Sequence, residues 1–415
     1  MSTNTSTPRK AVVVGAGPVG CLAAIALAKS GWNVELYESR PDMRIPASKS
    51  AAQQRSINLA ISHRGLAALE VVDTGAAQRF LKAAIPMRGR MIHDTKGNST
   101  SQPYDKDGQC INSIDRALLN QSLLDEVTAC RNVQVLFNRK LVAADFDHKS
   151  LTFVDMTNQS NLTVHFDFCV GADGSYSVVR RQMMRVVRLV PPYNTCTPKP
   201  KLPDQHGFHR MNYQQEYIRD VYIELRMPAG RDSEGKATFL LDPNHLHIWP
   251  RHSFMLIALP NKDKTFTCTL FAPSSELDRL NSADAIVSWF RETFPDALNV
   301  IGEKNLVDDF MRNPRSPLMV TKAMPYHYKD RAILLGDAAH SMVPFYGQGL
   351  NCGLEDVRVL YALFLQEGIE ATSPTPRDGV DPANVVDERL ARALAYYSDN
   401  RYEDLLAIQN LAMNN

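Results

Sequence analysis

Residues 10–38 read KAVVVGAGPVGCLAAIALAKSGWNVELYE, and this stretch decides the fold. KAVVV is a short run of β-branched residues, the composition of a buried strand. It runs into Gly15-Ala16-Gly17-Pro18-Val19-Gly20, a G-x-G-x-x-G turn. Val19–Ser30 is then predicted as a helix, Gly31 caps it, and NVELYE is predicted as a second strand. Each glycine has a task in such a unit. Gly15 permits the tight turn, Gly17 lets backbone approach a pyrophosphate, and Gly20 lets helix and strand pack closely. The helix N-terminus offers free N–H groups and partial positive charge to phosphates. Glu38 ends the second strand about 20 residues on, where a carboxylate accepts from a ribose 2′-hydroxyl and repels a 2′-phosphate. The unit predicts a dinucleotide site for NAD or FAD and does not separate the two.

Residues 11–28 are uncharged and mostly apolar, but the glycines and proline break them into strand, turn and helix. This argues against a membrane span or a signal peptide. The 415 residues carry a net charge of +1 with both signs interspersed, which excludes a basic nucleic-acid-binding surface. Seven scattered cysteines without a CxxC indicate a reducing compartment and no disulfide framework.

Further along, Ser56–Val71 and Arg116–Ala129 are predicted helices, and residues 132–137 and 166–170 strands. Residues 210–325 change character. VYIELRM, HLHIWP, FMLIAL and TFTCTLF are rich in β-branched and aromatic residues, and several alternate as half-buried antiparallel strands do. A strand at 331–337 and helices at 349–366 and 388–413 then return to the first pattern. The expected fold is α/β: a Rossmann-type domain with an inserted antiparallel β-sheet substrate domain. Its parts are a first nucleotide segment at residues 10–188 with some strands of the substrate domain, a Pro-rich insertion at 189–209, the sheet domain at 210–325, a second nucleotide segment at 326–370, a loop at 371–387 and a truncated C-terminal helix at 388–415. His245 and His247 would share one face of a strand, but no third ligand is near in sequence, so no metal site is predicted.

Two more motifs stand in order after GAGPVG: GADGSYSVVRR at 171–181 and GDAAHSMVPFYGQGLNCG at 336–353. The three together resemble the signature motifs of the para-hydroxybenzoate hydroxylase-like FAD monooxygenases. That resemblance selects FAD as the bound cofactor. It implies that Asp337 meets the ribityl chain, that Arg116 reaches the pyrophosphate, and that Asp173 and Gly174 lie near it. It also implies that Pro344, Phe345, Gly347 and Gly349 belong to a loop shielding the flavin. There the backbone N–H groups opening the 349–366 helix stabilise negative charge on the reduced ring. Val19, Arg40, Ala60, Leu141, Leu350 and Asn351 match further FAD-contacting positions.

RSINLAISHRG (55–65), IPMRGRMIHD (85–94), HLHIWPRHSFMLIAL (245–259) and VPFYGQGLNCGLEDVRVL (343–360) resemble, more narrowly, the kynurenine-hydroxylating branch of that family. This implies hydroxylation of L-kynurenine ortho to its aromatic amine, with NADPH and O2, through a C4a-hydroperoxyflavin. Arg90 and Tyr104 would hold the substrate carboxylate, a role that suits a guanidinium fork and a phenolic donor. Pro344, Phe345 and Phe254 would line the pocket. No side-chain acid or base is called for, because the arylamine activates its own ring. The family continues beyond the position of Asn415, its substrate-contacting asparagine, into a further helical region and a membrane anchor. The resemblance thus implies a truncated chain and, for the complete protein, the cytosolic face of the mitochondrial outer membrane. Two alternatives stay open: a related hydroxylase of another aromatic acid, and a non-catalytic binding protein that kept the dinucleotide fold.

Overall fold

The structure, a computed structural model, describes residues 8–46, 58–72, 74–187, 210–372 and 385–414. Asn415, the whole of the Pro-rich insertion and most of the 371–387 loop lie outside the described residues.

A six-stranded sheet forms the nucleotide half. Its order is His327–Tyr328, Ala332–Leu334, Phe168–Gly171, Lys10–Val14, Asn33–Tyr37 and Val133–Leu136. The central pairings are parallel, Ala11 beside Phe168 and Lys10 beside Asn33. Both faces are covered at its centre, so the central strand is an apolar run: Ala11, Val12 and Val13 are fully buried. The helix Pro18–Lys29 packs on this sheet, with every residue from Gly20 to Ala28 buried. The helices Gly349–Gln366 and Glu388–Met413 have the bounds expected from the sequence.

One expectation needs correction. The 56–71 segment is not all helix. Asn58–Ile61 is a strand, antiparallel to Ile111–Asp115, and the helix begins at His63. A short apolar run is ambiguous by periodicity. Tertiary hydrogen bonds decide it: the Asn58 side chain donates to Asn261 Oδ1 at 2.7 Å, and the Ser62 N–H donates to Asn351 Oδ1 at 2.9 Å.

The second half is a seven-stranded sheet in the order Ser316–Met324, Asn212–Met227, Phe266–Pro273, Phe254–Pro260, His245–Arg251, Gly89–His93 and Ser99–Pro103. Its last two strands come from the first third of the chain, so the inserted sheet is completed by residues 89–103. Its two faces have different partners. Trp249, Leu256, Ala258 and Leu270 point to a core closed by Ile286, Phe290, Phe294 and Phe310 of the helical layer. Tyr222, Met255, Ile257 and Phe271 point the other way, to Val343, Phe345 and Ala412. No helix among the described residues is long and apolar enough to cross a membrane.

Candidate active site

The fingerprint turn separates the roles of its glycines. Gly15 has φ +102°, and a Cβ there would lie 2.4 Å from the Ala172 carbonyl oxygen. A Cβ on Gly20 would lie 1.9 Å from the Gly15 carbonyl oxygen. Both are demanded by close approach of backbone to backbone. A Cβ on Gly17 would meet nothing within 4 Å. Gly17 is the N-cap of Pro18–Lys29 and provides no side-chain cap. The open space therefore lies at the uncapped N–H groups of a helix start, a cradle that fits a pyrophosphate.

Glu38 is buried at the edge of this cradle. Its carboxylate accepts from the Ala16 N–H at 2.9 Å and from Arg40 Nε at 2.8 Å. Burial acts to raise its pKa, but the Arg40 contacts outweigh it and hold the group below the usual carboxylate range. Glu38 thus braces the turn through Ala16 and pairs with the exposed Arg40. Val19 fits between two further glycines, with Cγ2 3.1 Å from a Cβ on Gly336 and 2.7 Å from one on Gly353. It locks the fingerprint helix to the Gly-Asp motif.

Asp337 opens the short helix Asp337–His340 and is exposed, with Ser175 Oγ 3.5 Å from its carboxylate. Arg116 is exposed at the first position of Arg116–Ala129. Both present unburied charge at helix starts. Gly174 has φ +79° with open space beside it.

The Asp173 carboxylate is committed elsewhere. It accepts from Ser177 Oγ and from the N–H groups of Val178 (2.6 Å) and Val179 (3.2 Å), capping the helix Val178–Val186. Burial raises its pKa despite those bonds. Its side chain builds the turn that presents Gly174, while its backbone lies against the fingerprint turn, where a Cβ on Gly15 would be 2.9 Å from the Asp173 Cα. Leu141 is buried in the main core.

The shielding loop is a 3₁₀ turn, Pro344–Tyr346, followed by Gly347 at φ +64° and the helix from Gly349. Asn351 is fully buried beneath it. Its Nδ2 donates to the carbonyls of Gly347 (3.0 Å) and Ala60 (2.9 Å), while its Oδ1 accepts from Ser62. The Asn351 side chain is therefore a staple within the chain, and any cofactor contact at Asn351 falls to its backbone. Leu350 is half-buried beside it.

Sequence reasoning missed the centre that holds these parts together. Asp356 is fully buried and accepts from the Gly336 N–H at 2.9 Å, from His340 Nε2 and from Arg401 Nε at 2.9 Å. Burial pushes its carboxyl up, but His340 and Arg401 prevail and hold it at about 2. Gln409 donates to the carbonyls of Thr321 (2.8 Å) and Ser341 (2.9 Å). The only hint in the sequence was the acidic pair Glu355-Asp356 in the mostly apolar 349–366 helix.

On the sheet side, register defines the face turned toward the Pro344–Tyr346 loop. Arg90 lies beside Leu246, Ile248 beside Ile257, and Met255 beside Phe271. Paired side chains share a face, so Arg90, Ile257, Met255 and Phe271 all look toward the shielding loop. The Phe271 and Phe345 rings meet edge to face at 5.3 Å. The Arg90 guanidinium sits 5.7 Å over the Tyr104 ring. Arg90 Nε and the Tyr104 hydroxyl are both buried, and no hydrogen-bond partner for either is found among the described residues. Burial raises the tyrosine pKa, against the charge of Arg90. Phe254 is a correction. It points to the opposite face and packs edge to face on Trp289 at 5.1 Å. Strand alternation puts Met255, Ile257 and Phe271 in the place assigned to it.

The chain matches the FAD binding domain family over residues 9–187 and 251–369. It is similar in sequence to the kynurenine 3-monooxygenase of Cryptococcus neoformans var. neoformans serotype D (strain B-3501A), 45% identical over 99% of this chain and 78% of that protein. The kynurenine 3-monooxygenase of Candida albicans is 45% identical over 97% of this chain and 78% of that protein, and that of Aspergillus fumigatus 39% over 100% and 78%. In fold it is similar to the tetrameric form of 2-methyl-3-hydroxypyridine-5-carboxylic acid oxygenase, with a TM-score of 0.69, 21% identity, and 98% and 90% of the two chains covered. Klebsiella pneumoniae HpxO complexed with FAD and uric acid follows at a TM-score of 0.66 and 20% identity, with 99% and 88% covered. With its cofactor cradle and relatives alike over nearly its full length, the chain belongs to the FAD-dependent monooxygenases and, among them, to the kynurenine 3-monooxygenase family.

Proposed function

We propose that the chain hydroxylates L-kynurenine at the ring carbon ortho to its aromatic amine, using FAD, NADPH and O2. The observation that carries this reading is the pair Arg90 and Tyr104. Two buried polar groups without partners are costly, and a carboxylate supplies what both lack. Bound FAD would supply the redox chemistry, taking hydride from NADPH and activating O2. The cradle before Pro18–Lys29 and Arg116 would hold its pyrophosphate, and Asp337 its ribityl hydroxyls. Arg90 forms a charge-assisted fork with the substrate carboxylate, to which the Tyr104 hydroxyl also donates. Met255, Ile257 and Phe271 with Pro344 and Phe345 wall the aromatic ring and exclude water. The substrate amine releases electron density into the ring, so no side-chain base is assigned.

The test is absorbance of the purified chain at flavin wavelengths, then NADPH oxidation with and without L-kynurenine. A yellow protein whose oxidation rate rises with kynurenine, with 3-hydroxykynurenine formed, is the expected result. A yellow protein that is indifferent to kynurenine but active on another aromatic acid would overturn the substrate. A colourless protein that FAD does not load would overturn the enzyme. We further propose a location at the mitochondrial outer membrane. Its support is the sequence resemblance alone, and fractionation of native cells tests it.

A further inference from the structure

His245 has no part in the cofactor cradle or in the face that carries Arg90. It stands between two polar side chains of its own. His245 Nδ1 lies 2.7 Å from Asp242 Oδ2, and His245 Nε2 lies 2.8 Å from Ser101 Oγ. The three residues come from positions 101, 242 and 245, so spacing in the sequence does not show them together.

Register explains how they meet. Gly89 is paired with His245 on one side and with Pro103 on the other. Side chains alternate along a strand, so His245, Gly89, Ser101 and Pro103 share the face opposite to that of Arg90. Gly89 puts no side chain in the way, and the imidazole reaches across its strand to Ser101. The hydrogen positions follow. A carboxylate only accepts, so Nδ1 of the neutral ring carries the hydrogen toward Asp242. Nε2 is then a bare acceptor, and the Ser101 hydroxyl donates to it. Asp242 Oδ1 in turn accepts from the Asn244 N–H at 2.9 Å and from Asn244 Nδ2 at 3.3 Å. Partial burial acts to raise the Asp242 pKa, but Asn244 and His245 outweigh it and keep the carboxyl below its ordinary range. A serine bonded to a base whose other nitrogen is held by a carboxylate is the arrangement that activates a hydroxyl for acyl transfer.

The sheet edge adds a donor. The Tyr104 N–H donates to the Arg88 carbonyl and the Asp94 N–H to the Asn98 carbonyl, both at 3.0 Å. Pairs alternate between bonded and non-bonded in an antiparallel ladder, so the pair Met91 and Ser101 is a non-bonded one. The Ser101 N–H therefore points outward from the last strand of the sheet, and Ser101 is exposed.

We propose that Ser101, His245 and Asp242 form a second, flavin-independent site, which hydrolyses aryl esters of short carboxylic acids. Ser101 Oγ attacks the ester carbonyl carbon while its proton passes to His245 Nε2. The carbonyl oxygen, negative in the tetrahedral adduct, accepts from the Ser101 N–H. The adduct collapses, the bond to the aryl oxygen breaks, and His245 returns the proton to the leaving phenolate. Water then attacks the acyl group on Ser101, passing its proton through His245 to Ser101 Oγ, and the carboxylic acid leaves. No oxidant or reductant enters. Asp242 is a positioning residue that fixes the tautomer and orientation of the ring. Loss of one oxyanion donor from a full set costs about 10²–10³ in rate. A single donor on an open edge therefore suits good leaving groups such as phenols, and peptide bonds lie outside its reach.

Diisopropyl fluorophosphate tests the nucleophile on the FAD-loaded, unaltered protein: Oγ bonds to phosphorus and fluoride leaves. Label on Ser101, with Ser99 and Thr100 of the same strand unlabelled, is expected. No label on Ser101, or equal label on Ser99, would overturn the site with no variant needed. Hydrolysis of p-nitrophenyl acetate tests turnover. Ser101→Ala should lower the rate roughly hundredfold, and an unchanged rate would overturn the activity. Asp242→Asn should lower it about tenfold or more, with part of the loss restored in Asp242→Glu. An Asp242→Asn rate equal to that of the unaltered protein would overturn the positioning role. The rate should be the same with and without NADPH and L-kynurenine, and a dependence on either would overturn the independence from the flavin.

Discussion

Gly15, Gly17 and Gly20 share a motif, but their surroundings make different demands. Gly20→Ala would drive a Cβ to 1.9 Å from a backbone oxygen, so it should destabilise the apoprotein by about 1–3 kcal/mol or more. Gly17→Ala has open space, so its apoprotein melting should stay within about 0.5 kcal/mol of the unaltered chain. Its FAD affinity should fall about tenfold, because the methyl occupies the phosphate approach. Thermal melts with and without FAD separate the two. Phe254 and Phe271 form a second such pair. Phe271→Ala should raise the kynurenine KM and leave more NADPH oxidised without product. Phe254→Ala should spare the KM and cost about 2–4 kcal/mol of stability where its ring leaves Trp289. Product formed per NADPH consumed, read beside denaturant melts, distinguishes them.

Among the helices, Gly349–Gln366 carries both the shielding loop and the buried Asp356. The Asp356 carboxyl is depressed to about 2 from an ordinary 3.8, so its contribution is present above about pH 4. It is lost as pH falls toward 2, and amounts to about 2 kcal/mol. Acid unfolding of Asp356→Asn should lose that slope. Arg401→Ala leaves the carboxylate buried without its ion pair and should cost about 3–5 kcal/mol in a urea melt. The helix bounds at 349–366 and 388–413 were legible from apolar periodicity. The strand at 58–61 was not, because its identity depends on Asn261 and Asn351, more than 200 residues away in sequence.

Across the molecule, the helix Glu388–Met413 joins the two halves. Arg401 reaches Asp356 of the nucleotide half, while Gln409 holds Thr321 of the large sheet and Ala412 enters the cluster of Phe271 and Val343. Gln409→Ala should strand two buried carbonyls, lower stability by about 1–3 kcal/mol and loosen the shielding loop through Ser341. Hydrogen exchange across residues 341–347 would register that loosening, and unchanged protection there would rule it out.

The resemblance of the motifs to a known family implied the cofactor class and the roles of Arg90 and Tyr104, whereas local sequence was enough to specify the βαβ unit and the alternation of the inserted sheet. Those features arise from turns, helix starts and strand periods, which are properties of neighbouring residues. Which face Phe254 takes and where the carboxylates of Glu38, Asp173 and Asp356 are committed came from packing. A side chain's partner across a sheet or beneath a loop lies far away in sequence, and burial obliges each polar atom to find one there.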